Sequence, residues 1–212
     1  DKDYQGIEFG IEANISSTLT LKGAASVGRH LYTNNPSVYL TSDDFGYLDF
    51  GTSKMENVRI ANGPQEAFSV GFEYRENYWW FGFTTNFFNN TYVDVSPINR
   101  TQNFLLDSDG LPLNDYDPEL AREILQQEEF GSYMVSNLVL GKSWRINRNY
   151  FGFFLSVNNI FDTLFKSGGF EQSRNANFTE LREEFAAPAR RFGPKYWYGR
   201  GTNYFLNLYV RF

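Results

Sequence analysis

The sequence holds one histidine, His30, and no cysteine. Those two facts remove most side-chain chemistry. Without a thiol there is no thiolate nucleophile, no disulfide and no cysteine metal site. A lone imidazole supports neither a Ser-His-Asp triad nor a zinc centre, so His30 reads as a polar residue near the end of a strand. No enzyme activity and no cofactor are expected. What remains is oxygen chemistry. In "LLDSDGLPLND", Asp107, Asp109 and Asp115 surround a glycine, and oxygen ligands at alternate positions can hold Ca2+. The stretch lacks the third alternate acid and the distal Glu of an EF-hand, so an Asp-rich turn is the preferred reading. Asp43 and Asp44 are a case of the same kind.

The other charged and amide side chains fall at every second position along aromatic-rich segments. Glu8, Glu12, Lys22, Glu73, Asn86, Asn207 and Arg211 each have apolar neighbours on both sides or one residue removed. Only a strand separates such neighbours onto opposite faces. In "QGIEFGIEANIS" the residues Ile7, Phe9, Ile11, Ala13 and Ile15 alternate with Gly6, Glu8, Gly10, Glu12 and Asn14. A second strand sets Leu19, Leu21, Ala25 and Val27 against Thr20, Lys22 and Ser26. A third sets Phe68, Val70, Phe72 and Tyr74 against Ser69, Gly71 and Glu73. A fourth sets Trp79, Phe81, Phe83, Thr85 and Phe87 against Trp80, Gly82, Thr84 and Asn86. A fifth, near 132–144, is apolar on both faces in "NLVLGKSW". A sixth carries Phe151, Phe153, Leu155 and Val157, and the seventh is "TNYFLNLYVRF".

These seven strands define an all-β, antiparallel chain. The connections alternate strictly: short between strands one and two, three and four, and five and six, but long over about 33–66, 93–131 and 162–201. Transmembrane β-barrels have this layout, with tight periplasmic turns and long extracellular loops. Aromatic residues make up 19% of the chain while mean hydropathy is only −0.46; strands with one apolar and one polar face give that combination. No run of 18 apolar residues suggests a membrane helix, which leaves a barrel open. Net charge is −6 with no basic stripe, so no nucleic-acid partner is expected. Within the long loops, "DPELAREILQQEEF" predicts a short helix capped by Asp117 with Pro118 in its first turn. "YLDFGTSKMENVRIANG" predicts a hairpin extension. Tyr78, Trp79, Trp144, Tyr150 and Phe212 lie near short-turn ends and fit an aromatic girdle. The cluster "PKYWYGRG" fits either an outer girdle or a ligand-facing loop.

Several stretches resemble, in order, the C-terminal barrel of TonB-dependent outer-membrane receptors of the form common in Bacteroidetes. They are "NVRIANGPQEAFSVGFEYRENYWWFGFTTNFFNNTYVDVSPINRT", "QEEFGSYMVSNLVLGKSWRI", "FFLSVNNIFDT" with "GGFEQSR" downstream, and "PKYWYGRGTNYFLNLYVRF". Together they cover about residues 57–212. The resemblance implies a barrel of about twenty-two strands filled by an N-terminal plug. It also implies import of a scarce ligand, powered by the TonB-ExbB-ExbD complex acting on an N-terminal box. This chain carries neither plug nor box, so the whole of 1–212 is expected to be the last third of the barrel wall. Its partners would be the plug, the remaining barrel strands and outer-membrane lipid. The ending differs from that of the subgroup that works with a surface lipoprotein lid.

The resemblance also gives the last strand a meaning. Tyr204, Leu206, Leu208, Val210 and Phe212 match the C-terminal signal read by the outer-membrane assembly machinery. The barrel layout puts that terminus in the periplasm and the long loops outside the cell, and the strand alternation turns Glu8, Glu12, Lys22, Glu73, Asn86, Asn207 and Arg211 toward the lumen. The chain opens on "DKDYQG" with no charged or apolar leader, so any signal peptide is expected to lie upstream or to have been removed. Two other readings compete. A small complete outer-membrane barrel, an adhesin, a structural protein or a lipid-modifying enzyme, needs an even strand number. A soluble sandwich binding glycans needs the apolar faces to be doubled into a core.

Overall fold

In the computed structural model, which describes residues 1–44, 46–172 and 177–212, strands take up 54% of the chain and helices 11%. The fold is therefore all-β. In chain order the strands are β1 (Lys2–Asn14), β2 (Leu19–Tyr32), β3 (Ser37–Ser42), β4 (Gly46–Thr52), β5 (Glu66–Glu76), β6 (Trp79–Asn89), β7 (Thr91–Tyr92), β8 (Glu129–Phe130), β9 (Tyr133–Ile146), β10 (Asn149–Asn158), β11 (Lys166–Phe170), β12 (Lys195–Tyr198) and β13 (Asn203–Arg211). Among the described residues two α-helices, α1 (Pro118–Ile124) and α2 (Phe178–Ala186), lie in the second and third long connections, and two short 3-10 helices, Ile98–Arg100 and Gln102–Leu105, precede α1.

Seven strands form one antiparallel sheet in the order β1-β2-β5-β6-β9-β10-β13. These are the seven that the alternation predicts. Their apolar rows meet across every ladder. Phe9 pairs with Ala25, Leu21 with Phe72, Phe72 with Phe83, Phe83 with Leu138, Leu138 with Val157, and Val157 with Tyr204. A one-residue slip at any ladder would turn one strand's apolar row to the other face. The short turns fix that register. Between β5 and β6, Asn77 and Tyr78 both have positive φ, 50° and 63°, the two-residue hairpin whose twist matches the flanking strands. Between β1 and β2, the Ser16 hydroxyl accepts from the Thr18 and Leu19 amides at 3.2 and 3.1 Å.

The fifth predicted strand, ambiguous in sequence, is β9. Leu138 and Leu140 join the apolar row while Val139 points the other way. Its partner there is Gly82, where an added Cβ would stand 2.7 Å from Val139 Cγ2. The valine occupies a slot that only glycine leaves open. Lys142 falls in the apolar row but does not leave its charge there. Its Nζ lies over the Trp79 ring at 4.9 Å and donates to the Asn77 carbonyl at 2.7 Å, at the short-turn end.

Apart from Leu31 at the end of β2, the core lies outside the seven-stranded sheet. Among the described residues the buried hydrophobic side chains are Leu31 at the end of β2, Phe50, Met55 and Ile60 from the first long connection, Val93, Val95, Phe104, Ala121 and Phe130 from the second, and Phe178 from the third. The sheet itself is a single layer. Ile7 is 79% exposed, Phe9 63% and Leu208 74%. Among the described residues neither edge is capped, since β1 pairs only with β2 and β13 only with β10.

Two expectations need correction. The hairpin in the first long connection is β3 with β4. It begins ten residues before the predicted stretch 47–63, and residues after Thr52 leave the ladder. Its turn carries Asp43 and Asp44, with the Asp44 amide bonded to Ser42 Oγ at 3.2 Å and Gly46 at φ 72°. The predicted α1 is present, with Asp117 accepting from the Glu119 and Leu120 amides, but it stops at Ile124. A second helix, α2, was not expected. It is capped by Asn177, whose side chain accepts from the Glu180 amide.

Candidate functional site

Strand alternation brings all seven predicted polar-face residues to one side of the sheet, opposite the apolar rows. Three of them interact directly. Lys22 Nζ lies 2.7 Å from Glu73 Oε1 and 3.8 Å from Glu12 Oε2, and Arg75 reaches Glu73 at 3.1 Å. Glu8 stands across from Ser26, Asn86 donates to the Val135 carbonyl at 3.4 Å, Asn207 faces Phe154, and Arg211 faces Tyr150. The polar face also has an aromatic band. Trp80 stacks on Phe154 with centroids 5.4 Å apart, Arg75 sits over Trp80 at 5.5 Å, and the Tyr209 hydroxyl bonds Ser143. Ion pairs this exposed contribute little to stability. Their value is a wall of mixed charge and rings facing whatever lies on that side.

The apolar side carries one notable polar pair. Thr85 and Ser136 face each other there, and their hydroxyls bond each other at 3.0 Å. Each satisfies the other, so the face stays apolar in effect. Tyr204, Leu206, Leu208 and Val210 continue the same rows on β13, and Phe212 is 93% exposed just beyond it.

The long connections join into one packed assembly at the opposite end from the short turns. Its centre is a pair that the sequence reading missed. Arg100 is buried and holds Glu171 with both amino groups, at 2.5 and 2.9 Å, while also donating to the Leu125 carbonyl at 2.8 Å and the Ser96 carbonyl at 3.2 Å. Glu171 in turn accepts from the Ser96 amide, and the Arg100 carbonyl accepts from the Lys54 amide at 2.9 Å. The ion pair ties the second and third long connections together, and the first joins them through the Lys54 amide on the Arg100 carbonyl and Ser53 Oγ on the Pro97 carbonyl at 2.7 Å. Beside it, Phe178 of α2 packs edge-on against Phe104 and Tyr116, at 6.0 and 5.2 Å.

The "PKYWYGRG" cluster divides between two surroundings. Tyr196 turns into the loop assembly, where its hydroxyl donates to Glu128 Oε2 at 2.5 Å and Lys166 Nζ sits 3.6 Å from its ring centroid. Burial, with help from that hydrogen bond, pushes the Tyr196 hydroxyl well above its ordinary range. It therefore remains a donor. Trp197 points away from the assembly, is 57% exposed and lies beside Phe170 at 5.6 Å.

The "NNIFDT" stretch forms a joint. Asn159 is buried with φ 51°. Its Nδ2 donates to the Thr163 and Arg200 carbonyls, both at 3.0 Å, and its Oδ1 accepts from the Thr163 amide at 2.9 Å. Asn159→Ala should leave Arg200's carbonyl unpaired and cost about 1–3 kcal/mol. Faster proteolysis within 159–202 would register the loss, whereas an unchanged cleavage rate would show that the joint is dispensable. Ser173 and Arg174 of the "GGFEQSR" motif lie outside the described residues.

The three candidate calcium acids are not brought together. Asp107 Oδ1 accepts from the Asp109 and Leu111 amides at 2.9 and 2.8 Å, closing a turn around Gly110. Asp115 pairs with Arg182 of α2 at 2.7 Å. Among the described residues no group of three or more acids and histidines could hold a metal ion. His30 lies beside Tyr4 at 5.0 Å, and its backbone is held on both sides by the Gln65 amide. Comparison with models of known protein families, with curated proteins and with solved structures finds no match to this chain.

Proposed function

We propose that this chain is part of the wall of an outer-membrane β-barrel, the C-terminal third of a TonB-dependent receptor that imports a scarce ligand into the periplasm. One observation carries the reading. Seven strands align their apolar residues into a single exposed face, while the buried core sits in the long loops. In water such a face would be a large exposed apolar patch, of a size that marks a membrane or protein contact. In lipid it is the expected outer surface, and the mixed polar face becomes the lumen wall. The assembly of long loops is then extracellular and the short turns are periplasmic. Lipid is one partner, and the plug is the natural occupant of the face bearing Glu12, Lys22, Glu73 and Arg75. The TonB-ExbB-ExbD complex acts through the plug-bearing part. A surface lipoprotein is a further candidate above the loops.

The open edges give the test. Unpaired backbone groups cost several kcal/mol each in hydrocarbon, so β1 and β13 require neighbours. Those neighbours are the remaining strands of a barrel of about twenty-two. Extracted in mild detergent and weighed intact, the native protein should carry the missing strands, in the same polypeptide or in a partner released on denaturation. A folded, monodisperse species of 24.6 kDa in detergent would instead favour the second reading, a small complete barrel acting as an adhesin or structural protein.

A further inference from the structure

Lys54 and Arg122, from the first and second long connections, both line a cavity of about 620 Å³ in the loop assembly. That volume lies within the range of small-molecule sites, roughly 300–1,000 Å³. Among the described residues no carboxylate lines it. Arg100 stands at its wall but is committed to Glu171. Lys54 and Arg122 form no ion pair among the described residues. Arg122 spends only its Nε, on the Pro118 carbonyl at 3.2 Å. The nearby acids lie outside the lining: Glu119 and Glu123 on the same helix as Arg122, and Glu56 beyond Asn35. Phe104, Leu105 and Leu125 supply apolar surface and Tyr116 a ring. Asn99 adds an amide to the wall, its Nδ2 donating to the Gln172 carbonyl at 3.2 Å.

This arrangement runs against the charge of the whole chain, which is −6. A concave site whose unpaired charges are all positive concentrates anions locally. We infer that the cavity binds a small organic anion, one whose carboxylate or phosphate meets Lys54 and Arg122 and whose ring or carbon body rests on Phe104 and Tyr116. The inference deepens the transport reading by naming the ligand's class. It concerns only the loops, so it can stand or fall separately.

The experiment is titration calorimetry on the intact protein in detergent at low salt. The probes are digalacturonate for the carboxylate, glucose 1-phosphate for the phosphate, and cellobiose as a neutral comparison. At least one anion should bind with a Kd of about 1 mM or tighter, about tenfold more tightly than cellobiose, and weaken as salt rises. The double variant Lys54→Gln, Arg122→Gln should lose about tenfold of that affinity. The charge-preserving pair Lys54→Arg, Arg122→Lys should retain most of it, which separates lost charge from lost folding. Lys195→Gln, outside the cavity, should change nothing. Two anions no tighter than cellobiose would overturn the inference, and so would a neutral double variant that binds as well as the original. Anion binding by a protein that proves to be a lone 24.6 kDa species would keep the cavity and discard the receptor.

Discussion

Leu208→Arg and Phe83→Arg should each stop the protein from reaching a folded state in the membrane, while Asn207→Arg, one residue away, should be mild. Leu208 and Asn207 are both exposed on the same strand, so in water the two changes would be nearly equivalent. The proposed environment separates them. Leu208 lies in register with Phe153 on the apolar face, and Asn207 with Phe154 on the polar one. Both Phe83 and Leu208 sit near the middle of their strands. There an arginine facing hydrocarbon costs about 2–4 kcal/mol, enough to remove most of a marginal stability. The amount of heat-modifiable, folded protein decides the matter. Equal tolerance at positions 207 and 208 would sink the membrane reading.

Glu171→Ala should loosen the second and third long loops from each other. It leaves the Arg100 guanidinium buried without its counter-charge, a loss of about 3–5 kcal/mol for a pair enclosed on this scale. It also frees the Ser96 amide. The effect should appear as faster hydrogen exchange at Ser96, whose amide bonds the Glu171 carboxylate, with the strand ladders unchanged. Replacing both partners, Arg100→Met with Glu171→Leu, should recover much of the protection, because an apolar pair carries no stranded charge. Unchanged exchange in the single variant would mean that the loops hold together without the ion pair.

The two parts of the molecule differ in how far the sequence reveals them. Strand register rests on a period of two and on short turns, both local. Phe9, Leu21, Phe72, Phe83 and Leu155 therefore identify their own face, and with it the faces of Glu12, Lys22 and Glu73. The loop assembly depends on meetings between distant segments. Nothing near Arg100 indicates that its carboxylate lies 71 positions onward. Nothing near Lys54 indicates that it shares a cavity with Arg122. Local signals do mark α2. Asn177 with Glu180 is a helix-start signal, and Phe178, Leu181 and Phe185 repeat at helical spacing. Asp43, Asp44 and Gly46 are turn-forming residues just upstream of the stretch 47–63, and they carry the hairpin's turn.

The join between Arg100 and Glu171 also has a place in time. In an open chain, closing a segment of that length costs about 4 kcal/mol of entropy before any constant is added. Once β6, β9, β10 and β13 have laddered, the stems of the second and third loops are already held side by side, and most of that cost has been met. The ion pair should therefore close late, after the wall beneath it. A chain halted partway through assembly would show protected strands beneath loops 90–132 and 159–202 that a protease can still cut. The moment those loops become resistant would mark the end of folding.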